Sequence, residues 1–357
     1  MTELDDYRTL GRTGLRVSSL ALGTMTFDDG TSGTAPEDAF ELLDCYLDFG
    51  GNFLDTANQY NGGASETTLG QYFSARPGRR DRVVLATKFG SSLSPDDPNA
   101  GGAGRKAIHT QVEASLRRLN SDYVDVLWMH HWDRNTPLEE TVATLDSLVR
   151  AGKIRSFGVS NTPAWWTAQA STTSRFQGWE PPAGIQVEYS LMRRSAEGEQ
   201  FSVARELGLG VTTWSPLASG VLSGKYTRGS ETVTDSRRAV FAGAQLTEKD
   251  YDLLDVVARI ADELGTTSAG VALAWVRQQD VVTSVLVGAR TVGQLRDNLA
   301  SAQVTLSDHQ LEELSRLSRP ELDYPYPFLN DFSVSYQQGN TTVNGRRSTA
   351  FGFGYLG

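Results

Sequence analysis

The chain has 357 residues, enough for two ordinary domains or for one large α/β barrel with a sizeable core. Its formal net charge of -10 and pI near 5.0 argue against wrapping a nucleic acid or lying on an anionic membrane, because both need a cationic surface. The only cysteine is Cys45, so no internal disulfide can form; with an acidic, polar N-terminus and no apolar run near the roughly 20 residues of a membrane span, the expectation is a soluble, cytoplasmic protein.

The first patterned segment, YRTLGRTGLRVS at 7–18, places a Gly-flanked turn between two short alternating runs and predicts a hairpin. Short apolar runs then recur: SLALG (19–23), NFLDT (52–56), RVVLATK (82–88), YVDVLWMH (123–130), IRSFGVS (154–160), GIQVEY (184–189), GVTTWS (210–215) and TSVLVG (283–288). Between them lie segments with apolar spacing near 3.6, including 108–119, 137–152 and 203–208, the second opening on Pro137 and closing on Gly152 as helices do. Eight buried strands alternating with helices fit a (β/α)8 TIM barrel better than an open sheet, with the hairpin capping its floor. The expected organisation is a single domain over 1–357, with a barrel core at about 19–300 and a C-terminal helix and tail at 304–357. Two stretches break the repeat. The segment 216–250 is too long for an ordinary strand-to-helix connection and reads as either a functional or a disordered loop. From Arg319 onward, DYPYPFLNDF and AFGFGYLG are aromatic and Gly-rich without a period, suited to covering a pocket or an oligomer contact.

Barrel chemistry sits on the loops that follow the C-terminal strand ends. Asp55 ends the second predicted strand, Lys88 the third and His130 the fourth, while Tyr60 lies in the loop just after Asp55. Singly, each is an ordinary turn-former, strand end or packed aromatic; their shared position is what points to a site. A cation beside a phenol favours the phenolate and a carboxylate holds that cation, a combination suited to donating a proton. Four histidines and one cysteine at unrelated spacings give no metal-ligand set, and GGAGRK (101–106) misses the phosphate-loop spacing and reads as a flexible rim loop.

Motifs in order along nearly the whole chain, from YRTLGRTGLRVSSLALGTMTF through LDTANQYNGGASE, LATKFG, LRRLNSDYVDVLWMHHWD and WSPLASGVLSGKY to VLVGARTVGQLRDNL, resemble the aldo-keto reductase superfamily. The resemblance implies reduction of an aldehyde or ketone to an alcohol by hydride transfer, with Tyr60 as general acid and Asp55, Lys88 and His130 completing a catalytic tetrad. The resemblance also prefers His130 to His131, because the family places its histidine directly after the apolar strand and three residues before an Asp, here Asp133. The same resemblance implies NADPH, with NADH also possible, bound without a dinucleotide-fold Gly motif. Ser160, Asn161 and Gln186 would meet the nicotinamide carboxamide and Trp214 would stack on its ring. Ser215, Leu217, Ser219, Gly220 and Lys225 would hold the pyrophosphate, and Gly288, Arg290, Gln294 and Asn298 the adenosine end. Gly288 and Ala289 stand where relatives often carry a Lys-Ser pair, leaving Arg290 as the main base for a 2′-phosphate.

Met25, Phe27 and Trp132 are placed to line the substrate pocket, whereas Trp165 and Trp166 read as packing residues, with room for one of them to face the rim. Expected partners are a small carbonyl substrate, with no nucleic acid and no membrane; oligomeric state and substrate identity stay open. Two other readings remain at this point. One is a cofactor-binding regulatory subunit resembling potassium-channel β subunits, and the other is a lyase that uses Lys88 to form a Schiff base.

Overall fold

The structure, a computed structural model, describes residues 4–28, 30, 33–228 and 246–348. It divides into two compact units, Met1–Ser318 and Arg319–Gly357. In the first, an N-terminal hairpin pairs β1 (Tyr7–Thr9) with β2 (Arg16–Ser18), Arg8 lying opposite Val17. Eight parallel strands then close into a barrel: β3 (Leu20–Gly23), β4 (Phe53–Asp55), β5 (Val84–Phe89), β6 (Val124–Met129), β7 (Ile154–Ser160), β8 (Gly184–Glu188), β9 (Gly210–Trp214) and β10 (Ser284–Val287). Each predicted strand is present, and β10 closes the ring by pairing with both β3 and β9.

The helices follow their strands on the outside: α1 (Pro36–Asp48), α2 (Ala64–Ala75), α3 (Arg105–Leu119), α4 (Leu138–Arg150), α5 (Ala164–Gln177) and α6 (Glu199–Leu207), then helices at Glu248–Leu264, Ser268–Arg277, Val292–Ala300 and Asp308–Leu317. Local signals explain several boundaries. Pro36 opens α1 at a position where its missing N–H costs nothing, and Thr247 and Ser307 each form a reciprocal capping box with Asp250 and Gln310. Among the described residues no helix is long and apolar enough to cross a membrane.

Strand side chains alternate between two cores, as a period of two requires. Leu20, Leu22, Leu54, Leu85, Leu127, Met129 and Ile185 pack outward against the helices, in the same cluster as Cys45 of α1. Ala21, Phe53, Val84, Ala86, Val126, Trp128 and Leu286 fill the barrel interior. Leu10 and Val17 of the hairpin segment join that interior cluster and plug its lower end, so the expected floor cap is real. The fit is close: a side chain at Gly11 would run into the Ala183 carbonyl at 2.3 Å, and one at Gly158 into the Trp128 ring at 2.2 Å.

The long connection after β9 begins with a short helical turn at Ala218–Ser223; its residues 229–245 lie outside the described residues. In the second unit, short helices at Tyr326–Phe328 and Val334–Gln338 precede a minimal antiparallel pair, Thr342–Val343 with Arg346–Arg347. Phe328 stacks on Tyr336 with ring centroids 5.9 Å apart. The final aromatic run, 350–357, lies outside the described residues.

Candidate active site

The inward-facing rows of the barrel change chemistry as they rise. Two residues beyond Phe53 on the same face is Asp55, two beyond Ala86 is Lys88, and two beyond Trp128 is His130. Register staggers them: Asp55 lies opposite Ala86 and Lys88 opposite Trp128, so the polar groups climb like steps from strand to strand. Tyr60 comes in from the side, on a turn at Tyr60–Gly63.

That turn is fixed although its residues are small. Asn61 adopts a left-handed backbone and donates through Nδ2 to the carbonyls of Met25 (3.0 Å) and Phe27 (2.7 Å). Immediately after it, the Ser65 hydroxyl lies 2.8 Å from that of Thr24 and 2.9 Å from that of Thr56, and fully buried Glu66 accepts from Arg118 Nε at 2.7 Å. Thr87, beside Lys88, also donates to Glu66. The loop bearing Tyr60 is thereby tied to β3, β5 and α3.

Lys88 is buried to 1% exposure, and its ammonium has three partners for its three protons. It pairs with Asp55 Oδ1 and donates to the Thr56 carbonyl at 2.8 Å and to the Tyr60 hydroxyl oxygen at 3.0 Å. The other carboxylate oxygen of Asp55 accepts from Gln186 Nε2 at 2.8 Å. Because Tyr60 accepts from Lys88, its own O–H is left to donate elsewhere. Burial opposes charge on Lys88, but Asp55 and Tyr60 outweigh it and lift the ammonium's pKa above its ordinary value.

Burial also pushes the Tyr60 phenol up, against the Lys88 charge and with Asp55 adding to the rise. A lowered phenol pKa is therefore not what this state shows: the carboxylate that holds Lys88 cancels part of its pull, and the phenol stays protonated at neutral pH. His130 stands edge-on to Tyr60 with ring centroids 5.9 Å apart. Burial, with the Lys88 charge and His131 adding to it, lowers its pKa to about 3, so the imidazole is neutral at neutral pH. Its Nδ1 is buried with no hydrogen-bond partner among the described residues.

The remaining predicted residues fall into groups around this centre. Ser160 closes β7 and donates to the Gln186 carbonyl at 2.9 Å. Asn161 follows it with a left-handed backbone, and its Nδ2 donates to the His130 carbonyl at 2.9 Å and to Ser160 Oγ at 3.1 Å. Trp214 ends β9 half-buried, its Nε1 unpartnered among the described residues. Beyond it Ser215, Ala218, Ser219 and Gly220 all have positive φ, which curls the backbone into a concave nest, and a Cβ at Gly220 would meet nothing within 4 Å. Leu217 sits within that curl, where its carbonyl accepts from Gly220 N at 2.9 Å. Lys225 is exposed just after it.

At the far end, Gln294 Oε1 accepts from Arg290 N at 3.0 Å and Asn298 Nδ2 donates to the Gly288 carbonyl at 3.2 Å. Both side chains brace the turn from β10 into the helix Val292–Ala300, and the Arg290 side chain is exposed. Of the pocket residues, Met25 is 49% exposed and Trp132 is half-buried, whereas Phe27 is fully buried behind the rim. Trp166 packs in the core, but Trp165 is exposed and meets Trp132 edge-on at 5.6 Å.

Two features escaped the sequence reading. Gln186 reaches Asp55 from 131 positions away, and only strand order could have suggested it. The 101–106 run is also not a loose loop: Gly102 N donates to Gly90 O at 2.8 Å, and Asp133 Oδ2 accepts from Ala103 N at 2.9 Å.

The sequence profile of the Aldo/keto reductase family matches residues 19–319, the barrel and its last outer helix. The chain belongs to the aldo/keto reductase family. As a member it is an oxidoreductase of the carbonyl-reducing kind, and the family works with a reduced nicotinamide cofactor. It is 39% identical over 319 residues to the uncharacterized oxidoreductase YrpG of Bacillus subtilis, covering 87% of this chain and 95% of that protein. To the putative aryl-alcohol dehydrogenase AAD14 of Saccharomyces cerevisiae it is 31% identical, covering 92% and 91%. It is 34% identical to the norsolorinic acid reductase stcV of Emericella nidulans, over 88% of this chain and 82% of the relative.

Proposed function

We propose that this aldo-keto reductase reduces an aldehyde or ketone using NADPH, with Tyr60 as the proton donor. The observation that carries the reading is the saturated ammonium of Lys88. All three of its protons are spent on Asp55, Thr56 and Tyr60, so the phenol accepts from Lys88 and keeps its own proton to donate. The bound nicotinamide would supply the hydride. As charge develops on the carbonyl oxygen, Tyr60 transfers its proton and Lys88, held by Asp55, stabilises the phenolate left behind. Neutral His130 beside Tyr60 orients the same oxygen by hydrogen bonding. The saturation of Lys88 also argues against a Schiff-base role, which needs a free, neutral amine.

The residues present suit the cofactor. Asn161 has committed its amide protons within the protein, leaving Oδ1 to accept from a carboxamide. Trp214 presents a half-buried ring at the strand end, the curled backbone at 215–220 offers a phosphate cradle open at Gly220, and Lys225 and Arg290 present exposed cations. Arg290 would grip a 2′-phosphate, which favours NADPH over NADH. Gln186 is the exception: its Nε2 is held by Asp55, so we assign it to fixing the carboxylate as well as facing the carboxamide. Relatives named for an aryl alcohol and for norsolorinic acid, together with Trp132 and Trp165 at the rim, direct the substrate proposal to aryl carbonyls.

The test is a panel of aryl and alkyl aldehydes and ketones with NADPH and with NADH, followed by loss of reduced-nicotinamide absorbance. Turnover is expected, and Tyr60→Phe should lower kcat by roughly 10² or more, the scale of a positioned general acid. Wild-type kcat in a folded Tyr60→Phe protein would remove Tyr60 from the chemistry.

A further inference from the structure

Beside the tetrad, the loop leading into α3 and the loop after β6 enclose a cleft of about 650 Å³, large enough for part of an organic substrate. His131 lines it and stacks on His130 with centroids 6.1 Å apart, so the cleft begins one ring away from the imidazole of the tetrad. The lining is cationic in a specific sense. It contains three exposed cations, Arg105, Lys106 and Arg134, and two carboxylates.

Both carboxylates are tied to the loops that bear them. Asp133 accepts from Ala103 N (2.9 Å), Asn135 N (2.9 Å) and Thr136 Oγ1 (2.6 Å), and Glu140 accepts from Arg105 N at 2.8 Å. None of the three cations has a carboxylate partner among the described residues. Arg134 is nevertheless placed over an aromatic ring, its guanidinium 5.4 Å from the ring centre of Trp132, which Trp165 also meets edge-on. A cavity with three cations against two carboxylates, the cations unpaired and one of them pre-positioned over an aromatic ring, is complementary to a planar anion.

We infer that this cleft binds a carboxylate on the substrate, so that the preferred substrates are carbonyl compounds carrying an acidic group at a distance from the reacting carbon. The inference rests on the carbonyl-reductase reading for its orientation: carbonyl at Tyr60 and His130, aryl body along His131 and Trp132, carboxylate between Arg105, Lys106 and Arg134. Binding of the carboxylate itself does not depend on that reading.

Two measurements test it. The first compares kcat/KM for 4-formylbenzoate and its biphenyl homologue with the isosteric neutral amides, in the wild type and in the triple variant Arg105→Gln, Lys106→Gln, Arg134→Gln. The acids should be preferred about tenfold or more, through KM, and the preference should disappear in the variant while turnover of the amides is unchanged. The second titrates terephthalate and terephthalamide into each protein by calorimetry. Terephthalate should bind the wild type more tightly, with affinity falling as salt rises and lost in the variant. Equal handling of acid and amide by the wild type, or an acid preference that survives in the variant, overturns the cleft assignment. Terephthalate binding that needs the three cations, in a protein that reduces no carbonyl, upholds the cleft and overturns the proposed function instead.

Discussion

The lower and upper halves of the barrel interior use the same strands and the same alternation for opposite purposes. Below, Phe53, Val84, Ala86, Val126 and Trp128 meet Leu10 and Val17 of the hairpin segment and form an apolar plug. Above, the next inward positions hold Asp55, Lys88 and His130, a buried ion pair and a neutral imidazole. The lesson is that a sealed floor creates the low-polarity surroundings in which one ammonium can govern one phenol. Both halves hold the fold together, the lower by apolar packing and the upper by a buried ion pair.

The comparison can be broken most forcefully at the ion pair. Asp55→Asn leaves Lys88 buried without its counter-charge, which should cost about 3–5 kcal/mol of unfolding free energy and also abolish activity. Denaturant melts would show it, and the double variant Asp55→Asn, Lys88→Met should recover much of the stability but none of the turnover. Phe53→Ala, two residues lower on β4, should cost a similar 3–5 kcal/mol by opening a cavity, yet keep most of the per-molecule activity in the folded fraction at low temperature. If both variants lose activity equally at matched folded fractions, the division into two halves is wrong.

A smaller effect concerns pH. His130 binds its proton with a pKa near 3 when folded against 6.5 in the unfolded chain, so acid favours unfolding. Its contribution is fully present above about pH 6.5 and is lost as pH falls towards 3, amounting to about 2 kcal/mol between pH 7 and pH 5. His130→Gln should flatten the stability profile by that amount over the same window. The smallest change is at the cofactor's far end. Arg290→Ala should cut the preference for NADPH over NADH by about tenfold, in KM rather than kcat, if this exposed arginine is the main contact of the 2′-phosphate.

Much of the fold was legible because each barrel strand is a short apolar run bounded by small or polar residues, as in SLALG and RVVLATK. The strand-end residues Asp55, Lys88 and His130 were legible for the same reason, since the runs stop where they begin. What joins them was harder to read. The Gln186–Asp55 bond spans two strands on different sides of the ring, and the burial of Tyr60 depends on Asn61, Ser65 and Glu66 pulling its loop inward. Sequence chemistry therefore weighed only the attraction of Lys88 for a phenolate, whereas the structure adds a desolvation effect that is larger and of opposite sign. The cleft between the loops at 98–107 and 131–136 was hidden because neither loop forms a wall alone.

Cys45 gives this architecture an internal clock. As the sole sulfhydryl in the sequence, packed in α1 against the outer core at 9% exposure, it can react with a water-soluble alkylating reagent only when that layer opens. The unmutated protein thus carries its own reporter, whose labelling rate measures how often the outer shell parts from the strands. Adding a nicotinamide nucleotide and watching that rate slow would reveal how far a guest at the mouth tightens the wall behind it.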